Sequence, residues 1–399
     1  MLLSGLYFFL LLFSYYLLRP LRETFGLARG ADTLPWVWTC TLGVMALVQP
    51  LFGWLVARMP RRRFIPWTGH ASALCLLVFA GLYLGLPRHG GTQLGYVFYV
   101  WLSVFNLFVV SIFWAFMADL FDGEQAGRLF GLLAIGGTVG AIAGSAFTEG
   151  FTRMSHLDPG WLFLLSALAL EGAVACTLGL FRHRAGEAAV ARTPEPGPRL
   201  MEGIALLGRS RTLQLIALYM LLFTLTSTFL YVLQGRVVEA AFPTRAGRTL
   251  AFARLDLWTN VLTLACQLFL THRLVARFGV PVALMILPVL TVAGFGGLAL
   301  WPGFLMLAVF QVLRRGLHYA VARPVREMLY VPLGADAKYK AKSFIDTFVY
   351  RAGDLAGIWM TPVLTAFSLP LGPPAVVVSL VWSTSAAWLG REVGPEKTH

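Results

Sequence analysis

Apolar stretches of about 20 residues recur along almost the whole chain, separated by short charged segments. Each stretch is long enough to cross a bilayer as a helix, which satisfies its own backbone hydrogen bonds in lipid. Charged residues make up 13% of the 399 residues, against roughly a quarter in a soluble domain. The pattern therefore predicts an all-α integral membrane protein and argues against a soluble globular fold.

Twelve of these stretches are predicted to be transmembrane helices, six on each side of a polar, proline-rich segment. This division predicts an N-terminal six-helix bundle (1–181), a cytoplasmic linker (182–211) and a C-terminal six-helix bundle (212–399). The predicted helices cover residues 2–23, 35–57, 64–86, 94–118, 128–150, 159–181, 212–234, 250–271, 280–301, 303–323, 343–367 and 370–390.

Lys and Arg collect in alternate loops: after helix 2, in the central linker, and after helices 8 and 10. By the positive-inside rule this pattern predicts a multi-pass protein of the bacterial inner membrane with both termini in the cytoplasm. The loop after helix 7, with Arg236, Arg245 and Arg248, is an exception. Since the first apolar run has no basic segment before it, we expect a first membrane helix rather than a cleaved signal peptide.

Two short repeats occupy matching places in the two halves. LVAR at 55–58 is predicted to close helix 2 and LVAR at 274–277 to close helix 8, while EQAGRLFG at 124–131 aligns loosely with KYKAKSFI at 338–345. The matches favour an internal duplication. Two six-helix pseudo-repeats in parallel repeat are the architecture of the major facilitator fold, in which substrate binds between the halves near the middle of the bilayer.

Several motifs carry a resemblance to known transporters. GWLVARMPRRRF, from Gly53, resembles the loop between helices 2 and 3 of facilitator-superfamily transporters, with Ala57 in place of the usual Asp. YYLLRPLRETFG (from Tyr15), FWAFMADLFDGEQAGRLFG (from Phe113) and YVPLGADAKYKAKSFIDTFVYRAGD (from Tyr330) resemble the ATP/ADP nucleotide exchange carriers of intracellular bacteria and plastids, and more specifically their free-living bacterial relatives.

That resemblance implies functions for particular residues. The functional lysines of helices 1 and 11 in these carriers match Arg22, which Glu23 follows, and Lys342. The functional glutamates of helices 4 and 7 have no counterpart, because the first carboxylates met there are Asp119 and Glu239. The resemblance thus implies transport of a nucleotide or related phosphorylated metabolite, with the basic part of the family pattern retained and the acidic part absent.

Arg19 and Arg22 lie three positions apart, so both point to one face of helix 1. Pro20 between them removes a backbone hydrogen bond and is expected to break or bend the helix. Two interpretations stay open: arginines that extend from a helix end to the membrane surface, or a pair of cations that bind an anion, with Glu23 as counter-ion.

Lysines are concentrated at one place. Three of the four lysines, against 28 arginines, fall within 338–342. Because a positive-inside loop could use either residue, this local preference favours a functional Lys342. Asp346 follows one helical turn later, and Arg351 and Asp354 are spaced i,i+3, so we expect charge pairs along this helix.

Further charged or polar residues lie within the predicted helices. Ionisable groups are costly in membrane spans and usually face a cavity or each other. Arg314 and Arg315 are deep in helix 10 and need a carboxylate partner, a water-filled cavity or an anionic ligand, of which we expect the cavity. The other candidates are Arg254 and Asn106 for substrate binding, and Asp256 for coupling.

A cytoplasmic gate is predicted near the end of helix 4. Asp119, with Glu124 and Arg128, is expected to pair with charges of helix 10 or 11. On helix 5, AIGGTVGAIAG is predicted to allow a close helix crossing, since small residues let backbones approach.

The chain contains no HExxH, GxSxG or Walker motif and no cysteine–histidine cluster, which argues against an enzyme, a metal site and a cofactor. The net charge of +13 is explained by topology and a basic substrate path rather than by nucleic acid.

The sequence favours an alternating-access secondary transporter of a small anionic organic solute, working as a monomer among membrane lipids. Exchange is preferred over proton coupling because few acidic groups lie in the spans, although Asp256 and Asp346 could carry protons. The alternative is a lipid-handling or non-transporting membrane protein that keeps the facilitator fold.

Overall fold

A computed structural model describes residues 1–85, 91–121, 123–154, 158–183, 200–330, 341–367 and 370–393. Within these ranges the regular structure is helical. The helices are α1 (Leu2–Gly26), α2 (Leu34–Arg58), α3 (Arg61–Gly85), α4 (Gly91–Leu120), α5 (Gly123–Met154), α6 (Gly160–His183), α7 (Leu200–Arg209), α8 (Arg211–Ala241), α9 (Arg245–Phe269), α10 (Thr271–Leu300), α11 (Phe304–Leu317), α12 (Arg323–Met328), α13 (Lys342–Phe344), α14 (Tyr350–Ala366) and α15 (Gly372–Val393).

The helices pack into two compact units. Unit 1 comprises Met1–Pro194 and Phe242–Asn260, and unit 2 comprises Glu195–Ala241 and Val261–His399. The first part of α9 therefore packs with the N-terminal helices, although it lies far along the chain. Each unit has its own core of buried apolar side chains.

In unit 1, α1 packs against α4, α5 and α6, and α3 packs against α6. Glycines of α5 face α1, as the AIGGTVGAIAG stretch predicted. A Cβ added to Gly140 would overlap the backbone carbonyl of Phe9, and one added to Gly144 would meet the carbonyl of Phe13 at 2.7 Å. Glycine at these positions therefore permits the close crossing of the two helices.

The expectation that Pro20 breaks helix 1 is wrong. Helix α1 continues through Pro20 to Gly26, so Arg19 and Arg22 both lie within the helix. The Pro20 carbonyl accepts a hydrogen bond from Thr24 Oγ1 at 2.9 Å, and the surrounding helices bury Leu17, Leu18 and Leu21. Packing on both sides of the proline holds the helix in register.

In unit 2, α8 packs against α14 and α15, and α10 packs against α15. Trp382 is fully buried, with its ring 5.3 Å from that of Tyr219 and 5.8 Å from that of Phe223. The side chain of Thr224 on α8 leaves room for nothing larger than glycine at Gly353.

Two π-helical turns interrupt helices of unit 2 that carry many of its charged residues. His318–Ala322 joins α11 to α12, and Ile345–Val349 joins α13 to α14. A π turn replaces the i→i+4 hydrogen bonds with i→i+5 bonds and shifts the side chains after it around the helix axis. Such turns are frequent at functional sites.

Several predicted boundaries differ from the structure. Arg236 lies within α8, and Arg245 and Arg248 lie within α9, so these three residues are helical rather than part of a loop. The linker contains the short helix α7, whose Leu206 and Leu207 pack on the core of unit 2. The second LVAR lies within α10, two residues before Gly279, where a φ of 74° breaks α10 into two helical segments.

Eight of the described helical segments are long and apolar enough to cross a membrane. The remaining predicted spans correspond to α9, to the helices interrupted by π turns, and to α15. Arg254 and Asp256 on α9, and Arg314, Arg315 and Arg323 along α11 and α12, place charges within those predicted spans.

Candidate functional site

The Arg19 guanidinium of α1 donates to the carboxylate of Asp256 on α9, within unit 1. The Asp256 side chain is only 3% exposed. The neighbouring hydroxyls of Thr24 and Thr249 form a second hydrogen bond between α1 and α9, with their oxygens 2.9 Å apart. These contacts hold Arg19 inside unit 1, where it does not extend to a helix end as the interfacial interpretation requires.

Arg22 lies one turn further along α1, where it contacts groups of three different chemistries. Its guanidinium pairs with Glu23 at 2.5 Å and donates to Ser103 Oγ at 3.2 Å. The guanidinium carbon also lies 4.7 Å from the centre of the Tyr99 ring, a cation–π distance. Glu23 is therefore the counter-ion that the sequence predicted, and α4 supplies the hydroxyl and aromatic contacts.

Arg254, two positions before Asp256 on α9, belongs to a small ion-pair cluster. Its Nε lies 3.0 Å from Glu149 Oε1, and Arg153 also binds this carboxylate, at 2.7 Å. Glu149 was not among the residues predicted to be functional. A carboxylate near the end of a predicted membrane helix was the signal that could have identified it.

Asp119 pairs with Arg61 at the start of α3. The sequence predicted charges of helix 10 or 11 as its partners and did not anticipate Arg61, which lies in the basic segment after α2. The side chain of Arg128 lies outside the described residues. Asn106 is half-buried on α4, one turn beyond Ser103, and is not hydrogen-bonded to Arg19, Arg22 or Arg254.

Arg314 is the most deeply buried of the candidate cations in unit 2, at 4% exposure. Its guanidinium donates to the hydroxyls of Thr291 at 3.1 Å and of Thr226 and Ser227 at 3.0 Å. It also donates to the Phe223 carbonyl at 3.3 Å and lies 5.4 Å from the centre of that residue's ring.

The three hydroxyls around Arg314 are oriented so that their oxygens accept its hydrogen bonds. Each hydroxyl donates to the carbonyl four residues before it, so its lone pairs are free for the guanidinium. Among the described residues, no carboxylate forms an ion pair with Arg314. The neighbouring oxygens accept hydrogen bonds from the guanidinium of Arg314, but they carry no negative charge to balance it.

Basic residues continue from Arg314 along the π turn. Arg315 is half-buried, and the His318 ring stacks on Phe223 with ring centres 4.5 Å apart. Arg314, Arg315, Arg323 and Arg326 all act electrostatically on His318. The arrangement concentrates positive charge within about two helical turns on each side of His318.

Lys342 pairs with Glu327, which was not among the residues predicted to be functional. The Lys342 Nζ lies 2.5 Å from Glu327 Oε2, and Arg326 approaches the other carboxylate oxygen at 3.3 Å. Arg326 in turn lies 3.7 Å from Asp346. A chain of alternating charges thus links α12 to the start of α13. Partial burial tends to raise the pKa of Glu327. The positive charges of Lys342 and Arg326 have the larger combined effect, so the pKa of Glu327 lies below its usual value.

The predicted i,i+4 pair between Lys342 and Asp346 is not formed, because the π turn that begins at Ile345 replaces α-helical spacing there. The predicted i,i+3 pair is present, with Arg351 Nη1 3.5 Å from Asp354 Oδ2. Asp354 is buried and also accepts a hydrogen bond from Thr228 at 3.5 Å. Lys338 and Lys340 lie outside the described residues.

Both units thus hold arginines beside hydroxyls and aromatic rings, groups that can bind a phosphorylated solute through charge-assisted hydrogen bonds. Residues 93–392 match the TLC ATP/ADP transporter family. The chain belongs to this family. The predicted resemblance to nucleotide exchange carriers is therefore confirmed, as is the prediction of a transporter rather than an enzyme.

Relatives of this TLC family member include carriers from bacteria and plastids. The chain is 23% identical to ADP,ATP carrier protein 1 of Chlamydia muridarum, over 97% of this chain and 87% of that protein. It is 23% identical to ADP,ATP carrier protein 1 of Chlamydia trachomatis, where the match covers 74% of this chain and 64% of that protein. The match to the chloroplastic ADP,ATP carrier protein 2 of Arabidopsis thaliana is 24% identical and covers 73% and 53%.

Solved transporters share the fold. The nucleoside transporter NupG superimposes with a TM-score of 0.66 over 98% of both chains, at 14% identity. A bacterial homologue of the human lysosomal transporter Spinster, in an inward-facing and unoccupied conformation, gives a TM-score of 0.56 over 98% of this chain and 91% of that chain, at 15% identity. The TLC family member therefore shares an all-helical fold with these transporters, which confirms the predicted all-α fold class.

Proposed function

We propose that this TLC family member is a secondary active transporter that exchanges nucleotides across a membrane by alternating access. The observation that carries the proposal is Arg314, a buried cation surrounded by neutral groups. A buried unpaired charge is costly, so an arginine in this setting favours an anionic ligand that supplies the missing charge. The relatives named as ADP,ATP carriers make a nucleotide the leading candidate.

Each unit supplies candidate cations for binding phosphate. In unit 1, Arg22 presents its guanidinium beside the hydroxyl of Ser103, and its partner Glu23 shares the same helix. In unit 2, Arg314 and Lys342 are the proposed phosphate ligands. Arg19 is fixed to a buried carboxylate, so we assign it to the structure that positions Arg22 rather than to direct binding.

The proposal includes twelve transmembrane helices in two six-helix repeats, with both termini in the cytoplasm of a bacterial cell and the protein in the inner membrane as a monomer. The charge distribution of the loops supports this orientation. Interrupted helices near charged residues, such as those around the two π turns, also occur in the substrate sites of other transporters.

Exchange is proposed over proton coupling because two of the carboxylates within the predicted spans already have basic partners. Asp256 is paired with Arg19, and Asp354 is buried beside Arg351. A lipid-handling role is not favoured, since the relatives are carriers of ADP and ATP by name.

The test is uptake of labelled ATP into proteoliposomes that contain the purified protein. We expect rapid uptake only when the vesicles are loaded with unlabelled ADP or ATP, and no effect of a protonophore. Uptake that is independent of internal nucleotide but abolished by the protonophore would replace exchange with proton coupling. Failure of every nucleotide to enter loaded vesicles would overturn the proposed substrate class.

A further inference from the structure

The carboxylate of Glu327 occupies the position on Lys342 that a phosphate would take. One oxygen lies 2.5 Å from Lys342 Nζ, and the other lies 3.3 Å from Arg326. A carboxylate held between two cations by separate oxygens has the same donor–acceptor pattern as a phosphate bound by the same pair. The nearby ring of Tyr330, with its centre 5.8 Å from Nζ, flanks the ammonium group.

Exposure separates Glu327 from the other carboxylates paired with candidate cations. The side chains of Glu327 and Lys342 are 44% and 34% exposed, so either can change partners without unfolding of the helices. Asp256 and Asp354 are 3% and 6% exposed and are therefore fixed partners. A half-exposed ion pair is also weak, because water competes for both groups.

Charge balance provides a second argument. The described residues of α11 to α14 and their π turns contain six Arg and Lys side chains but only Glu327, Asp346 and Asp354 as carboxylates. Cations in excess attract a polyanion. Among the carboxylates of these helices, Glu327 has the most exposed side chain, so a polyanion can reach its partner from solvent.

We propose that Glu327 is a tethered counter-anion that competes with the phosphates of the substrate for Lys342 and so sets the affinity of the site. Glu327 neutralises Lys342 when no substrate is bound and moves aside when a phosphate arrives. This role makes Glu327 an affinity-determining residue that does not itself bind the substrate. It rests on the proposed function of Lys342 as a phosphate ligand.

The first test is binding of pyrophosphate, a probe that carries the phosphate chemistry without a nucleoside. Thermal stabilisation of the purified protein is measured against pyrophosphate concentration for wild type, Glu327→Gln and Glu171→Gln. Glu171 is the matched control because its side chain is 42% exposed and pairs with His70 of α3. We expect Glu327→Gln to lower the half-saturating concentration by about two- to fivefold, the factor worth a half-exposed ion pair. Glu171→Gln should leave it unchanged.

A Lys342→Gln background separates competition from a structural effect. If Glu327 acts mainly through Lys342, Glu327→Gln gives a smaller gain in affinity for pyrophosphate in this background than in wild type. An unchanged or weaker affinity for pyrophosphate in the single variant overturns the inference, as does an equal gain in the presence and absence of Lys342. These results do not depend on nucleotide transport, so they are distinguishable from a failure of wild type to exchange ATP for ADP.

If Glu327→Gln does not fold, Glu327→Asp provides the second measurement. The shorter side chain keeps the charge but cannot reach Lys342 at the same distance, so it should also raise the affinity for pyrophosphate. An affinity equal to that of wild type would overturn the inference.

Discussion

Arg19 and Asp256, 237 positions apart in the chain, form a buried ion pair between α1 and α9. The pair joins α1 to the first part of α9, which belongs to the same unit. Because the carboxylate is shielded from water, the pair fixes the position of α1 around Arg22.

Asp256→Asn should therefore destabilise the protein strongly. The change leaves Arg19 as a buried cation without its counter-ion, which typically costs about 3–5 kcal/mol. The measurement is thermal unfolding in detergent, followed by tryptophan fluorescence. Glu171→Gln, which breaks a half-exposed pair, should cost about 1 kcal/mol or less. Equal stability of the two variants would show that the buried pair does not hold α1.

Gly140→Ala should also destabilise the protein, through backbone overlap. The added methyl group would meet the carbonyl of Phe9 on α1, and separating two packed helices typically costs about 1–3 kcal/mol. Gly131→Ala is the matched control on the same helix, because a Cβ there meets nothing within 4 Å. A smaller loss of thermal stability in Gly140→Ala than in Gly131→Ala would contradict the close crossing of α1 and α5.

The sequence was sufficient to predict the helical membrane fold and a close helix crossing at α5. The length of each apolar stretch predicts the first, and the spacing of the glycines predicts the second. It was insufficient for α1 at Pro20, where packing from other helices overrides the local effect of proline. The π turns also escaped prediction, since a change from i→i+4 to i→i+5 bonding leaves little trace in hydrophobic periodicity.

Arg314→Met should separate a functional arginine from a structural one. Methionine removes the charge, while Thr226, Ser227 and Thr291 keep their hydrogen bonds to their own helices. We expect nearly unchanged thermal stability, because an apolar side chain is well tolerated at a buried charged site. ATP exchange should fall by about tenfold or more, the loss expected for a charge-assisted contact to phosphate.

Arg277→Met is the control for Arg314→Met, because Arg277 is exposed at the start of α10 and contacts Phe278. It should transport like wild type. Unfolding of Arg314→Met with normal behaviour of the control would assign Arg314 a structural role instead.

The pair between Glu327 and Lys342 predicts a pH dependence. Its cations lower the pKa of Glu327 in the folded protein, so the pair stabilises the fold above the usual pKa of about 4.5. This stabilisation is lost as the pH falls through the lowered value. The difference in thermal midpoint between wild type and Glu327→Gln should therefore be present at neutral pH and shrink in acid. A difference that grows in acid would have the wrong sign.

The candidate site could be predicted only in part. Arg22, Arg314 and Lys342 stood out because charges within apolar stretches are rare. Their partners did not, since Thr226 and Ser227 lie about 90 positions from Arg314 along the chain. Glu327 was missed because it follows the predicted end of helix 10, where a carboxylate beside Arg326 resembles an ordinary loop residue.

The proposal that Arg22 and Lys342 bind the nucleotide is tested most directly by the initial rate of ATP uptake into ADP-loaded proteoliposomes. The proteins compared are wild type, Arg22→Gln, Lys342→Gln and, as the control, Arg277→Gln. We expect wild-type rates for Arg277→Gln and a loss of about tenfold or more in both other variants, since each loses a charged contact to phosphate. Exchange at the wild-type rate in Arg22→Gln and Lys342→Gln would contradict the proposal that these two residues bind the phosphates of the nucleotide.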